Sequence, residues 1–369
     1  MRSSSSSATR LCRAVGLHRE PPPGRAWVDD LGSPVSDAGT LGRLDALRIP
    51  PAWTDVWASP DPAARVQATG VDARGRTQYR YSTAAEQEAA EHKFGDLLLF
   101  GRSLPALRAR VDQHLARPPA DSATGSAAGR VKRATATAVR LIDRGLFRVG
   151  TERYARDNHT YGLTTLTADN VRVTGSTVDF TFVGKEHRPW HLAIDDAQAA
   201  VVVGELVDGA ADGAPLFSVE SHEVHEGHRG HETRDAHDGR YVVSSAVVNA
   251  YIHGETSAPA TAKTFRTWGG TAAAATMTAG AVSPVPVRSR RPDLVAYDVA
   301  AYLLGNTRDI ARRSYVHPLA LEAGRAAAVV QAVERAARST GGDVRAVVRD
   351  DLVVAALVDE LGRLSGARA

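Results

Sequence analysis

Three short segments of alternating polar and apolar residues interrupt a sequence whose pattern is otherwise mostly helical. They read LTADNVRVTG, STVDFTFVGKE and RPWHLAI, and they follow one another between residues 166 and 194. Alternation with a period of two is typical of strands with one buried face, and the short connections favour hairpins. The segments therefore predict a small antiparallel sheet within a helical domain. Lys185 falls at the tip of one hairpin, where we expect it to reach outward toward a ligand.

The flanking regions predict an α+β chain in two parts. Residues 40–82 contain short apolar runs broken by Pro and Gly and end in VQATGVDARGRTQYRYS, which suggests a small β-rich unit. Helical spacing follows this unit, returns at VKRATATAVRLIDRGLFRVG, and dominates beyond residue 195. We expect a small β-rich N-terminal domain and a larger, mainly helical domain that holds the small sheet. Composition alone would place the linker at residues 118–130.

Composition limits the class of protein. The 369 residues leave room for two domains, and no segment is long and apolar enough to span a membrane. Residues 1–24 are rich in Arg and Ser without the apolar stretch of a secretory signal, which predicts a disordered tail. The single cysteine, Cys12, excludes an intramolecular disulfide and fits a reducing cytoplasm. A net charge of +3 and a pI near 9.1 permit nucleic-acid binding without requiring it.

Lysine is rare in this chain. Of 45 basic residues only four are lysines, at positions 93, 132, 185 and 263. An arginine guanidinium keeps its proton near neutral pH, whereas a lysine amine can act as a general acid. The retained lysines are therefore candidate acids, with Lys185 and Lys263 of most interest. The alternative for each is a contact with a backbone phosphate.

A histidine-rich segment occupies residues 218–240. Imidazoles three residues apart share a helix face and could hold a transition metal. The segment has no Cys and no apolar framework to fix a coordination geometry, so we favour a solvated loop and expect no metal site. The histidines concerned are His222, His225, His228, His231 and His237.

Breaking a phosphodiester without water or metal requires few groups. A tyrosine phenol is a suitable nucleophile, because the phosphodiester it forms keeps the bond energy and the step can be reversed. Arginine guanidinium groups match the oxygens on which charge develops. The leaving sugar hydroxyl is far more basic than phenol, so a general acid must protonate it. One tyrosine, two arginines and a lysine form a minimal set.

Four segments of the chain carry such residues in one recognisable order. They are FRVGTERYARDNHTYGLTTL (147–166), FVGKEH (182–187), KTFRTWGG (263–270) and LGNTRDIARRSYVHP (304–318). The chain resembles the type IB DNA topoisomerases of the compact, poxvirus-like kind that bacteria also possess. The resemblance covers roughly residues 45–320, which excludes the serine-rich tail and the histidine-rich segment.

The resemblance implies a role for each motif residue. Tyr315 matches the nucleophile that forms a 3′-phosphotyrosyl bond, and Arg148 and Arg266 match the arginines that hold the scissile phosphate. Lys185 matches the general acid, and Lys263 matches a second lysine that assists it. Many relatives have histidine where this chain has Asn306, whose amide can donate a hydrogen bond to a phosphate oxygen but carries no charge. The implied reaction needs neither ATP nor a metal or other cofactor.

The resemblance also nominates contacts with duplex DNA. The strand GRTQYRYS resembles one that enters the major groove, and it contains Gln78, Tyr79 and Tyr81. Glutamine can pair with an adenine edge, and tyrosines can touch phosphates or a thymine methyl group. Tyr154 matches a residue used against the DNA backbone. For each of these four the alternative is a purely structural residue.

The family's domain boundary would lie near residue 95, which disagrees with the compositional linker. The resemblance implies a DNA-clamp domain over residues 25–95 and a catalytic domain over 96–369, with 118–130 as a loop inside it. We expect a monomer acting on chromosomal DNA in the cytoplasm. Two rivals stay open: a tyrosine recombinase, which usually has His at the position of Lys263, and a non-catalytic DNA clamp of the same fold.

Overall fold

A computed structural model describes residues 15–20, 26–116, 126–211, 213–220, 236–237, 240–281, 283–287 and 289–367. The chain divides into two compact units, Met1–Lys93 and Phe94–Ala369. Within the described residues, no helix combines the length and the apolar character that a bilayer crossing demands.

The first unit is a five-stranded antiparallel sheet with one helix. The sheet order is β2-β1-β3-β4-β5. Helix α1 begins after Asp37, whose carboxylate accepts a hydrogen bond from the Thr40 amide at 2.6 Å, as an N-cap residue does. Leu44 of α1 packs with Val56 and Ala68 of the sheet in one apolar core. The elements are β1 (Leu17–Arg19), β2 (Trp27–Asp29), α1 (Ala38–Ala46), β3 (Thr54–Ala58), β4 (Val66–Val71) and β5 (Thr77–Tyr81).

Strand β1 corrects the prediction of a disordered tail over residues 1–24. Leu17–Arg19 pair with β2 on one side and β3 on the other, so this segment is a central strand of the sheet. The Arg19 guanidinium donates to the carbonyl of Trp53 at 2.7 Å and to that of Pro50 at 3.2 Å. A polar, arginine-containing segment is held here by backbone pairing, which composition does not reveal. Residues 1–14 and 21–24 lie outside the described residues.

The second unit is mainly helical and holds two small antiparallel sheets. Strands β6, β7 and β8 form one sheet in that order, and the second has the order β10-β11-β9. Helix α2, Thr83–Leu115, includes the division between the units. The remaining helices are α3 (Ala127–Gly145), α4 (Glu152–Asn158), α5 (Ala197–Asp208), α6 (Ser245–Glu255), α7 (Ala262–Thr278), α8 (Pro292–Leu304), α9 (Arg308–Ser314), α10 (Ala320–Ala323), α11 (Ala327–Thr340), α12 (Val344–Val347) and α13 (Asp351–Gly366). The strands are β6 (Val171–Thr174), β7 (Thr177–Gly184), β8 (Arg188–Asp195), β9 (Ser218–Glu220), β10 (Ala236–His237) and β11 (Arg240–Val242).

These elements confirm the α+β class and the antiparallel sheet predicted from the three alternating segments. The β7–β8 hairpin pairs Thr177 with Asp195 at one end and Gly184 with Arg188 at the other. Lys185 therefore lies in the connection at the tip, as predicted. Lys185–His187 form a single 3₁₀ turn there, in which Glu186 and His187 have positive φ angles of 64° and 54°.

Two predictions from the sequence require correction: the loop at residues 218–240 and the linker at residues 118–130. The segment 218–240 is not simply a loop, because its two ends form β9 and β11, which pair with each other. His222, His225, His228 and His231 lie outside the described residues, and His237 belongs to β10. Among the side chains that the structure describes, no group of three or more His, Cys, Asp or Glu could hold a metal ion. The linker that composition predicts at residues 118–130 overlaps helix α3, which begins at Ala127. Residues 117–125 are outside the described part of the chain.

Helix α7 runs through the core of the second unit. Every residue from Phe265 to Thr276 is buried. The run consists mostly of Ala, Gly and Thr, whose small side chains let neighbouring helices approach closely. Arg266 is the one charged residue in this run, and only 2% of its surface is exposed. Because burying a charge is costly unless partners compensate for it, Arg266 marks the centre of a candidate site.

Candidate active site

Arg148 lies just beyond the end of α3. The helix stops at Leu146, which has a left-handed conformation with φ 53° and donates its amide to the carbonyl of Ile142. Phe147 is then buried, and Arg148 is half-buried. The guanidinium of Arg148 donates to Oδ1 of Asn306 at 2.5 Å. This bond joins two of the four motifs that the sequence analysis singled out.

Asn306 occupies the two-helix corner between α8 and α9. Gly305 ends α8 with φ 60°, a conformation that glycine adopts without strain, and Thr307 caps α9 by accepting from the Ile310 amide. Since Oδ1 of Asn306 accepts from Arg148, its Nδ2 is turned elsewhere. That Nδ2 is buried and has no hydrogen-bond partner among the described residues. The corner therefore presents an unused donor beside a cation, which suits an anionic oxygen.

Arg266 connects the ends of two helices to the motif tyrosine. Its guanidinium donates to the carbonyl of Leu146 and, at 2.8 Å, to the carbonyl of Leu304. It also lies over the ring of Tyr315, with 5.2 Å between Cζ and the ring centroid. Each accepting carbonyl is two residues before another site residue, Arg148 or Asn306. One buried side chain thus fixes three parts of the site.

Tyr315 ends helix α9 and is held through its backbone. Its amide donates to the Ala311 carbonyl at 2.9 Å. The hydroxyl of Thr271 on α7 donates to the carbonyl of Thr267 at 2.8 Å and shares that proton with the carbonyl of Tyr315 at 3.2 Å. The same Oγ1 accepts from the amide of His317 at 3.0 Å. Thr271 is fully buried. The tyrosine is therefore held by α9 through its amide and by α7 through its carbonyl, with its ring facing Arg266.

The charges around Tyr315 favour its ionised form. Partial burial opposes ionisation, but the cations Arg266, Arg148 and Lys263 outweigh it and lower the pKa of the phenol below its usual 10. Burial, together with the nearby charge of Arg148, lowers the pKa of Arg266, which nevertheless stays cationic near neutral pH. The cations Arg148, Arg266 and Lys263 give the site an excess of positive charge that favours binding of an anion.

We expect this shift to be measurable as ionisation of Tyr315 below pH 10. The difference in ultraviolet absorbance between the native chain and Tyr315→Phe, followed against pH, isolates this phenol. Lys263→Ala removes one cation and should move the pKa upward. Because the folded pKa is depressed, the associated stabilisation is fully present above about pH 10 and is lost as the pH falls through the folded pKa. A phenol that ionises at or above pH 10 would contradict this electrostatic picture.

A second prediction concerns Thr271. Thr271→Val keeps the shape of the side chain but removes the hydroxyl, so the His317 amide loses its acceptor. We expect the free energy of unfolding to fall by about 1–3 kcal/mol, the cost of an unsatisfied buried group. Thr276→Val is the matched control, because Thr276 is buried on the same helix and its Oγ1 has no partner among the described residues. Denaturant unfolding of both variants tests this. An equal loss of unfolding free energy in the two variants would show that the hydrogen bonds of the Thr271 hydroxyl make no particular contribution to stability.

The two lysines differ in their placement. Lys263 is exposed on the first turn of α7, three residues before Arg266, and its charge acts on Tyr315. Lys185 is exposed at the hairpin tip and makes no hydrogen bond or ion pair with the described residues. The structure thus brings Arg148, Arg266, Asn306, Tyr315 and Lys263 into one group, and it leaves Lys185 extended on its hairpin.

The four nominated DNA contacts occupy different surfaces. Tyr79 and Tyr81 lie on one exposed face of β5, with stacked rings 6.0 Å apart. Gln78 points to the other face, since neighbouring strand residues alternate, and its amide donates to Asp72 at 2.9 Å. In the second unit, Tyr154 is half-buried on α4 and acts electrostatically on Arg148. Sequence reasoning treated the three β5 residues as equivalent, and the alternation of the strand could have separated them.

The phenol lies beneath one guanidinium, and a second guanidinium and a lysine act on it through their charge. These are the groups that nucleophilic attack on a phosphodiester would use. The family model of the eukaryotic DNA topoisomerase I catalytic core matches residues 82–326, and the model of the bacterial DNA topoisomerase IB N-terminal domain matches residues 24–72. The chain belongs to the type IB DNA topoisomerase family. All four motifs lie within the first match, whereas α11, α12 and α13 lie beyond it.

A curated relative supports the assignment. The chain is 29% identical over 229 residues to a protein named DNA topoisomerase 1B from Acanthamoeba polyphaga mimivirus. The alignment covers 62% of this chain, and it spans 62% of the length of that relative.

Proposed function

We propose that this protein relaxes supercoiled duplex DNA by cutting one strand through a 3′-phosphotyrosyl intermediate and resealing it. The observation that carries the proposal is the placement of a phenol with a lowered pKa beneath a buried arginine that also orders two other motif residues. A structural tyrosine needs no such concentration of charge. Family membership supplies DNA as the substrate.

The proposed cleavage step uses five side chains. The phenol of Tyr315 gives its proton to water and its oxygen attacks the phosphorus, and the bond from phosphorus to the 5′-oxygen breaks. The non-bridging oxygens, where charge develops, would meet the guanidiniums of Arg148 and Arg266 and the free Nδ2 of Asn306. The departing 5′-oxygen takes a proton from Lys185, because a sugar alkoxide is too basic to leave without one.

Resealing is the reverse of this step. The free 5′-hydroxyl end swivels, and supercoils of either sign are released before the hydroxyl attacks the phosphotyrosine. The amine of Lys185 then accepts the proton that it had donated. The energy of the phosphodiester is kept in the tyrosyl bond throughout, so ATP has no step to drive. Every group in this scheme comes from one chain, which is consistent with a monomer.

Lys185 is suited to act as a general acid that meets the 5′-oxygen when DNA binds. It is exposed at the tip of a hairpin, and no described residue pairs with it to hold it away from DNA. Lys263 is fixed on α7 next to the phenol, so it is better placed to assist at the tyrosine or at a phosphate oxygen. We assign the proton donor to Lys185 and an assisting role to Lys263.

The N-terminal region, residues 25–95, is proposed to clamp the duplex from a separate unit. Tyr79 and Tyr81 support this role, because two exposed, stacked phenol rings on an edge strand are not needed for the apolar core of their unit. Gln78 is the weaker candidate, since its amide is already bonded to Asp72. Tyr154, on the catalytic unit, is proposed to contact the DNA backbone close to Arg148.

Supercoiled plasmid tests the function directly. Relaxation without ATP, with an adduct that resists SDS and maps to Tyr315, is the expected result. Binding without relaxation would identify a non-catalytic clamp. Exchange of strands between two marked duplexes would identify a recombinase. Either of the last two results would overturn the proposal.

We also predict that metal ions are dispensable. Relaxation should continue in excess EDTA, because the cations needed for the phosphate are supplied by arginine and lysine side chains. Replacing His222, His225, His228 and His231 together with alanine should leave the relaxation rate nearly unchanged. Activity that disappears on chelation and returns with zinc would contradict this and direct attention to the histidine-rich segment.

A further inference from the structure

The indole of Trp190 is in contact with the residues that precede three of the site residues. On β8 it pairs with Phe182 of β7, and their rings stack 5.8 Å apart at 15°. It also stacks on Phe147, which directly precedes Arg148, at 6.1 Å and 24°. The same three aromatic rings therefore connect the hairpin that carries Lys185 with the segment that carries Arg148.

The edge of the indole that carries Nε1 lies against two glycines. A Cβ atom at Gly305, the residue before Asn306, would come within 2.5 Å of Cζ2 of Trp190. A Cβ atom at Gly184, the residue before Lys185, would come within 2.8 Å of Cδ1 and Nε1. Gly184 has an ordinary φ of −92°, so its backbone conformation does not require glycine. What excludes a side chain at position 184 is the indole.

We propose that Trp190 is a positioning residue that fixes Lys185, Arg148 and Asn306 relative to one another. This inference rests on the proposed function, because it assigns Trp190 no chemistry of its own. Lys185 is the residue that depends on it most, since Arg148 and Asn306 are also held by each other and by Arg266, which binds two nearby carbonyls. The hairpin is also held near its tip by the amide of Tyr161, which donates to the carbonyl of Val183 at 2.8 Å, but the Lys185 side chain makes no hydrogen bond or ion pair with the described residues.

The proposal predicts a specific kinetic effect rather than a general loss. In a duplex whose 5′-bridging oxygen is replaced by sulfur at a mapped cleavage site, the leaving group needs little protonation, and misplacement of Lys185 has little effect. Trp190→Ala should slow cleavage of both substrates through Arg148 and Asn306. It should slow the ordinary phosphodiester more, so that the ratio of sulfur to oxygen cleavage rates rises about 10-fold or more.

Gly184→Ala is the second variant, and it perturbs the same contact from the other side. Its methyl group must displace either the indole or the hairpin, so we expect the same rise in the ratio. In the Trp190→Ala background the methyl group has room, and Gly184→Ala should then cost little further. Such non-additivity identifies the contact itself as the cause.

Val178→Ala is the matched control for sheet stability. Val178 is fully buried in β7 and pairs with Ile194, near the end of the hairpin opposite Lys185. This variant should unfold more easily yet keep the native ratio of the two cleavage rates. If Trp190→Ala does not fold, Trp190→Phe keeps a ring beside Phe182, and Gly184→Ala remains available.

Parallel slowing of both substrates in Trp190 and Gly184 variants, or additive effects in the double variant, would overturn the positioning role. Failure of the proposed function is distinguishable, because the native chain would then form no adduct with either substrate. All rates are measured in single turnover with saturating protein, so that weaker DNA binding does not alter the ratio.

Discussion

Tyr315→Phe is expected to bind duplex DNA with nearly native affinity and to form no covalent adduct. The substitution removes one oxygen and keeps the ring beneath Arg266. Its backbone bonds to Ala311 and Thr271 do not involve the phenol oxygen, so they should persist. Plasmid relaxation should fall to the background of the assay, because no other tyrosine of the described residues lies beneath Arg266. SDS gels with end-labelled DNA measure the adduct.

Tyr302→Phe is the control for this experiment. Tyr302 lies on α8, close in sequence to the site, and 55% of its surface is exposed. Loss of its hydroxyl should leave both the adduct and the relaxation rate unchanged. An adduct formed by Tyr315→Phe would show that the nucleophile is another group, and peptide mapping of that adduct would identify it.

Lys185→Ala is expected to slow cleavage of an ordinary phosphodiester by roughly 10²–10⁴-fold, the usual effect of losing a general acid. Lys185→Arg should restore little, because arginine replaces the charge without an available proton. On the 5′-sulfur substrate the alanine variant should cleave almost as fast as the native chain. Arg148→Ala and Arg266→Ala should slow cleavage of both substrates, since they remove stabilisation of the charged oxygens.

Lys132→Ala is the control for Lys185→Ala, because it removes one lysine at a distance from the site. Lys132 is on α3, about 20 Å along the helix from Gly145 at 1.5 Å per residue. Its amine is 4.0 Å from a Glu255 carboxylate oxygen, a long and partly exposed pair of little energetic value. This variant should cleave both substrates normally. If Lys185→Ala slowed the sulfur substrate as severely as the ordinary one, Lys185 would be a phosphate contact, and Lys263 would become the candidate acid.

The parts of the fold that the sequence predicted best are those with strong local patterns. Alternation over β6, β7 and β8 determined both the sheet and the position of Lys185, because period-two burial has few other structural solutions. Strand β1 was missed because its burial depends on pairing with β3, far along the chain. The strands at the ends of the histidine-rich segment were missed for the same reason. Long-range pairing leaves little mark on a three-residue segment.

The site shows a similar division. The motif residues could be named from the sequence, but their burial could not. Arginine is ordinarily exposed, and the sequence around Arg266 gives no indication that its guanidinium binds the carbonyls of Leu146 and Leu304. The role of Thr271 was equally hidden, since its partners are main-chain groups of Thr267, Tyr315 and His317. Contacts with backbone atoms depend on the fold and not on the identity of the partner residue.

The double attachment of Arg266 links the proposed activity to complete folding. The strand cleavage that we propose would be harmful if it persisted in partly unfolded molecules. Here the ends of α3 and α8 must both be docked before the guanidinium finds its two carbonyls, and only then are the phenol and its neighbours aligned. In the proposed mechanism, fraying of either helix end would therefore prevent strand cleavage while the rest of the chain is still folded. Cleavage would then be confined to fully native molecules.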